Sequence, residues 1–236
     1  MAHIGDKIPY TPYKVYKNIE KLFKYRNLEL DKNSKSYTEQ EFIKNIQYAE
    51  YVILVTNDSK EKDRRYTNDT LPINKTRPVK TVFIILNEDS SFIETSSKFV
   101  NLLNAVPGYN DDNRNFNLDI LIISREIVGA HIEKKMKDLI TDGDEKNGFV
   151  KIHSYPYKYF TSVIPENALV PPHRILSKEE EKKVLESIFS KKVDLPKITK
   201  HGSVGVWFGL EVGDVVEVKL PSENTGVEIK YLTTRP

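Results

Sequence analysis

Five histidines and no cysteine set narrow limits on what this chain can do chemically. His3, His131, His153, His173 and His201 are dispersed, with no His-Glu-x-x-His pair and no thiolate to complete a zinc site. The acidic pairs Asp111-Asp112 and Asp142/Asp144 fall in turn-rich stretches, where solvated carboxylates are the ordinary explanation. The stretch from Thr141 to Asn147 also lacks the glutamate that closes a calcium loop. Gly205-Val-Trp-Phe-Gly209 is not followed by the Lys-Ser/Thr of a phosphate-binding loop. His173-Arg174, just after Pro171-Pro172, has two readings. Either His173 bonds a backbone carbonyl and fixes the exit from the prolines, or the pair makes a polar contact with a partner. No nucleophile or second base accompanies it in sequence. These spacings predict no catalytic residue, no bound metal and no cofactor. An enzymatic alternative, a metal-dependent nuclease, would use Asp119 and Glu126 at a strand end, but it requires further converging carboxylates.

Phosphate binding has a clearer physical basis. Ser124-Arg125-Glu126 follows a strand and precedes a helical pattern, and a helix start offers free amides and a positive dipole end. Ser124 would cap that helix and Arg125 would supply charge. Lys134, Lys135 and Lys137 lie off the apolar face of the same helix. The plainer reading is a capped helix with a solvated arginine. A second basic stretch runs from Arg64-Arg65 through Lys75, Arg77 and Lys80, and such loop charges are usually solvated. With a net charge of only +2, any nucleic-acid contact has to come from a local patch.

The elements that must position these groups read as a mixed α+β chain. Its 236 residues suffice for one sizeable core or two modest ones. No apolar run approaches the roughly 18 residues of a membrane span. Residues 1–7 lack the basic and apolar regions of a signal peptide, so secretion and membrane partners are not expected. Val15, Ile19, Leu22 and Phe23 form one helical stripe. Thr38 with Glu41 signals a capping box before a second helix. Strands are expected at 51–55, 81–86 and 118–123, with a helix carrying Phe92, Phe99, Leu102 and Leu103 before Pro107-Gly108. Residues 58–78 read as a loop broken by Pro72 and Pro78. A further helix is expected to follow directly on Ile123, with Ile127, Ile132, Met136 and Leu139 as its face. Strands are then expected at 149–152 and 160–164.

Beyond residue 164 an extended apolar run is expected up to Pro171-Pro172, which lock φ and remove two donors. Ser177 with Glu180 makes another capping box, opening a helix with Val184, Leu185, Ile188 and Phe189 on one side. A short helix at 203–208 stops at Gly209. Gly213-Asp214 leads into a strand at 215–219, and 222–226 turns the chain back into an antiparallel partner at 227–232.

Four blocks in that order, Leu169-Val-Pro-Pro-His173, Leu195-Pro-Lys-Ile198, Gly209 through Val216 and Ser222-Glu-Asn-Thr-Gly226, resemble the C-terminal assembly domain of subunit five of eukaryotic RNA polymerases and its archaeal counterpart. From residue 13 to about 150 the likeness rests on element order, and that region is similar to the jaw domain of eukaryotic and viral members. The resemblance implies an N-terminal jaw domain at 1–150, helices on a small sheet, a connecting strand region at 151–164, and a small α+β assembly domain at 165–236. It implies a non-catalytic subunit that docks on the largest polymerase subunit through Leu169, Val170, Pro171, Pro172, His173 and Arg174. In that setting Ser124, Arg125 and Lys134 would contact downstream duplex DNA without sequence preference. The expected location is the nucleus of a cell, or a virion or viral factory. Where the family carries Asp-Pro-Val this chain has Gly202-Ser203-Val204, where it carries a basic pair it has Leu220-Pro221, and Tyr231-Leu232 stands for a terminal Tyr-Arg. The bias toward Lys, Asn, Ile and Tyr points to an AT-rich genome, in a large DNA virus or a divergent eukaryote. A free-standing DNA-binding adaptor is the remaining alternative.

Overall fold

The computed structural model describes residues 11–32, 34–58, 77–111, 114–142, 148–222, 224 and 226–236. Asp112, Asp144, Arg64, Arg65 and Lys75, named above, lie outside them, as does most of the stretch 58–78. The fold is mixed α+β, with two sheets in two compact units. Among the described residues the first unit comprises 11–20, 29–57 and 77–162, and the second comprises 21–28, Asp58 and 163–236.

The first unit is built on a five-stranded sheet in the order β1-β2-β3-β4-β5, from β1 (Leu28–Leu30), β2 (Tyr51–Asp58), β3 (Val79–Leu86), β4 (Asn117–Ser124) and β5 (Val150–Pro156). β2 runs antiparallel to β3, whereas β3, β4 and β5 are mutually parallel. Central parallel strands are buried on both faces and read as near-continuous apolar runs, as Val82–Leu86 and Ile120–Ile123 do. By the two-residue period, Val82, Ile84, Leu118, Ile120 and Ile122 share one face. They form a core with Phe99, Leu102 and Leu103 of α3 (Ser96–Asn104) and Ile132 and Met136 of α4 (Ala130–Leu139). Phe83, Ile85, Leu121 and Ile123 point the other way and are equally buried.

Helix α1 spans Pro12–Arg26, and its expected stripe of Val15, Ile19, Leu22 and Phe23 is buried. Helix α2 (Glu39–Ala49) opens with the expected reciprocal box, the Thr38 side chain accepting from the Glu41 amide and the Glu41 carboxylate accepting from the Thr38 amide.

Three expectations in this unit are corrected. The helix after β4 does not start at Ser124 but six residues later, behind an N-cap Gly129 that offers no side-chain oxygen. Ile127 consequently lies outside the helix and is 72% exposed, while the neighbouring Val128 fills the core. Residues 160–164 form no strand. β5 ends at Pro156, which has no amide to donate, and a 3₁₀ turn at Tyr157–Tyr159 follows. There the buried Tyr157 hydroxyl donates to the Leu86 carbonyl.

The second unit carries a four-stranded sheet in the order β6-β8-β9-β7, from β6 (His173–Ile175), β7 (Lys197–Thr199), β8 (Val215–Ser222) and β9 (Gly226–Arg235). β8 and β9 form the expected antiparallel hairpin, closing with Ser222 opposite Gly226. On one face Leu176, Leu195 and Val215 pack with Val184 and Leu185 of α5 (Lys178–Ser187) and with Tyr231. On the other face Leu210, Val216 and Val218 pack with Ile175 and Phe208, the latter at the end of α6 (Ser203–Phe208). Ile188 and Phe189 do not join the α5 face as expected, because the helix ends at Ser187 and both are exposed.

Candidate functional site

The segment entering β6 is rigid by construction, though it is not the extended run expected. Residues Ile164–Glu166 form a 3₁₀ turn, and Asn167 then organises the next three residues. Its side-chain oxygen accepts from the Leu169 amide at 2.9 Å, and its carbonyl accepts from the Val170 amide at 2.9 Å. Pro171 and Pro172 fix the backbone beyond it, and the Pro172 carbonyl accepts from the Lys219 amide at 3.1 Å. Leu169 stands 90% exposed at the head of this corner, and Val170 and Pro171 are half-buried.

His173 Nδ1 lies 2.5 Å from the Pro171 carbonyl. A carbonyl can only accept, so Nδ1 carries the proton. The ring packs on Phe208 at 5.8 Å between centroids. Burial pushes the imidazole pKa below its usual value, opposed in part by the bond to the Pro171 carbonyl, so the buried position favours the neutral ring. Of its two readings, the carbonyl bond that fixes the exit from the prolines is present.

Arg174 is also engaged within the chain. It pairs across the β6–β8 register with Glu217, Nη2 to Oε2 at 3.1 Å and Nε to Oε1 at 3.4 Å. Its Nη1 donates to Glu180 at 2.6 Å. Glu217 and then Glu180 hold the guanidinium pKa above its usual value. Glu180 completes the Ser177 capping box, and the Ser177 amide together with Arg174 holds its carboxyl down to about 2. Glu217, only 8% exposed, was missed in the sequence. An acid inside the run Val215-Val216-Glu217-Val218 was the available signal.

A second set of residues missed in the sequence surrounds α6. Arg26 Nε and Nη2 both donate to the Val206 carbonyl, at 3.1 and 2.5 Å, so a cation satisfies the end of this short helix. Tyr25 packs edge-on against the fully buried Trp207 and against Phe208. A Cβ on Gly205 would meet the Lys200 carbonyl oxygen at 2.3 Å, and Gly209 takes the left-handed conformation that ends the helix. Nothing local in 21–28 announces these partners.

In the first unit, Ser124 is buried and its hydroxyl donates to the Glu126 carbonyl at 2.6 Å, so it holds a turn rather than capping a helix. Arg125 is exposed, 3.6 Å from Glu88. Lys134 is exposed on α4, and Lys137 pairs with Glu133 at 2.9 Å on the same helix. Arg125 and Lys134 therefore sit within one connected stretch after β4. Arg77 donates to the Arg114 carbonyl at 2.7 Å, and Lys80 lies 3.8 Å from Asp31 and over the Phe116 ring. Asp119 lies 3.7 Å from His153. Among the described residues, no group of three or more His, Asp or Glu side chains stands close enough to share a metal ion, and the convergence a metal-dependent nuclease needs is not seen there. No described helix is long and apolar enough to cross a membrane.

Comparison with known proteins gives this geometry a context. A family model described as "RNA polymerase Rpb5, C-terminal domain" matches residues 163–233. The chain is similar to an African swine fever virus protein (isolate Pig/Kenya/KEN-50/1950) named DNA-directed RNA polymerase RPB5 homolog, 33% identical over 116 residues, covering 48% of this chain and 55% of that one. It is 35% identical over 72 residues to the DNA-directed RNA polymerase subunit Rpo5 of Methanosphaera stadtmanae, covering 30% of this chain and 94% of the archaeal one. It is 38% identical over 68 residues to the Dictyostelium discoideum protein named DNA-directed RNA polymerases I, II, and III subunit rpabc1, covering 29% and 34% respectively. The chain spans about half the length of the viral relatives it matches.

Proposed function

The chain belongs to the RNA polymerase Rpb5 family, and on that premise we propose that it is a non-catalytic subunit of a multisubunit DNA-directed RNA polymerase, held to the largest subunit by residues 165–236. The observation that carries this reading is the corner from Leu169 to Arg174. Its backbone is fixed by Asn167, two prolines and the His173–Pro171 bond, yet Leu169 projects into solvent. An apolar side chain carried on a fixed backbone spares the cost of ordering that backbone on binding, so more of its burial appears as affinity. Pro172 is exposed beside it, while His173 and Arg174 serve mainly by holding the corner in shape.

In this reading residues 1–150 form the lower jaw beside the downstream duplex and 151–164 connect the two parts. Arg125 and Lys134 meet phosphates there, and Ser124 sets the turn that presents Arg125. Contacts to phosphates carry no base information, so they grip every sequence equally. The subunit then acts in the nucleus if its source is a cell, and in the virion or viral factory if its source is a virus.

Leu169→Asp tests the docking. Because Leu169 is exposed, the variant is expected to keep the thermal midpoint of the parent to within the small range of surface substitutions. It is expected to lose co-purification with the largest subunit. Retention at parental yield would overturn the proposed contact.

A further inference from the structure

Helix α5 ends in a conformation that its sequence does not favour. The Ser190 amide donates to the Leu185 carbonyl at 3.2 Å and the Phe189 amide to the Glu186 carbonyl at 3.3 Å. This is the Schellman pattern, in which the residue just past the cap is left-handed and is usually glycine. Here that residue is Phe189, at φ +50°. An L side chain is disfavoured in this region, and packing within the chain offers no compensation, because Phe189 is 98% exposed. Ile188 and Val193 beside it are exposed too. An aromatic ring displayed at a position where glycine would be more stable points to a use outside the chain.

We propose that Phe189 is a recognition knob. It stands at the edge of an open groove along α5, lined also by Leu185, that receives an acidic amphipathic segment of a partner protein. The sign of the partner follows from the rim. Glu181 is engaged by Lys178 at 3.3 Å and Lys192 at 2.7 Å. Lys182 and Lys191 have no carboxylate partner among the described residues, and the rim of the groove carries Lys178, Lys182 and Lys191 against Glu181 and Glu186. A second copy of this chain is a poor occupant, since a two-fold contact would set the same lysines against each other. This face is distinct in sequence from the 169–174 corner and does not depend on what that corner meets.

The test uses the full chain and a fluorescently labelled amphipathic peptide of leucine and glutamate, read by anisotropy, with a leucine–lysine peptide as the control. The acidic peptide is expected to bind and the basic one is not. Phe189→Gly is expected to weaken binding by roughly tenfold, as loss of an exposed aromatic anchor does, while raising the thermal midpoint by relieving the left-handed residue. The two readouts move in opposite directions, which no purely structural role for Phe189 would produce. The proposal is overturned if the acidic peptide fails to bind, if both peptides bind alike, if Phe189→Gly binds as well as the parent or is less stable than it, or if sedimentation shows a dimer that Phe189→Gly dissolves.

Discussion

Arg174 shows how one side chain serves two structural tasks. It neutralises Glu217 across the β6–β8 pair and braces the Glu180 carboxylate that caps α5. Removing it leaves a buried acid without its counter-charge. Arg174→Ala is therefore expected to destabilise the chain by about 1–3 kcal/mol, below the full cost of breaking a buried ion pair because the guanidinium is half exposed. Arg174→Lys should recover only part of this, since an ammonium cannot reproduce the fork. Denaturant midpoints check both. Glu180 gives a pH dependence of known sign. Its folded pKa, about 2, lies below the usual 4.5. Its stabilisation is thus complete above about pH 4.5 and is lost as pH falls toward 2. Thermal midpoints measured between pH 5 and pH 2 should fall less steeply in Glu180→Gln than in the parent; equal slopes would contradict this. In the sequence, the box at Ser177 and Glu180 was legible because its spacing is local. The role of Arg174 was not, because its main partner lies 43 residues away.

At the scale of elements, what was legible followed local rules: the apolar stripe of α1, the caps of α2 and α5, the stop of α6 at Gly209 and the hairpin closing at Ser222 and Gly226. Misreadings fell where a long-range or side-chain interaction overrode the pattern. Ser124 resembles a cap, but its hydroxyl bonds forward to the Glu126 carbonyl and the helix waits for Gly129. Phe160–Ile164 has strand-like composition, but the chain has left the sheet at Pro156, and Phe160 is buried with its carbonyl accepting from Asn18 at 2.7 Å. Helix α6 supplies the clearest test at this scale. Gly205→Ala places a methyl against two backbone carbonyls, those of Lys200 and Thr199. Overpacking of this kind costs about 1–3 kcal/mol, in contrast to the gain expected for alanine in an unhindered helix. An unchanged denaturant midpoint would contradict the close packing of α6 on that loop.

At the scale of the molecule, four short blocks revealed the family, while the grouping of residues 21–28 with 163–236 stayed hidden. Hydrophobic periodicity reports which face of a helix is buried and says nothing about which distant segment buries it. With a net charge of only +2, the isolated chain is expected to bind duplex DNA weakly. In the assembled enzyme, each neutralised phosphate contributes about 0.9 to the slope of log K against log salt. Arg125→Ala is accordingly expected to lower that slope by at most about one unit, leave sequence preference unchanged and spare assembly. A larger loss, or a change in sequence preference, would contradict a phosphate contact. The most direct measurement is an electron cryomicroscopy structure of the transcribing polymerase with this chain in place. The expected result is Leu169 and Pro172 buried against the largest subunit, with Arg125 and Lys134 beside phosphates of the downstream duplex. Finding the 169–174 corner open to solvent in that assembly would contradict the proposed docking.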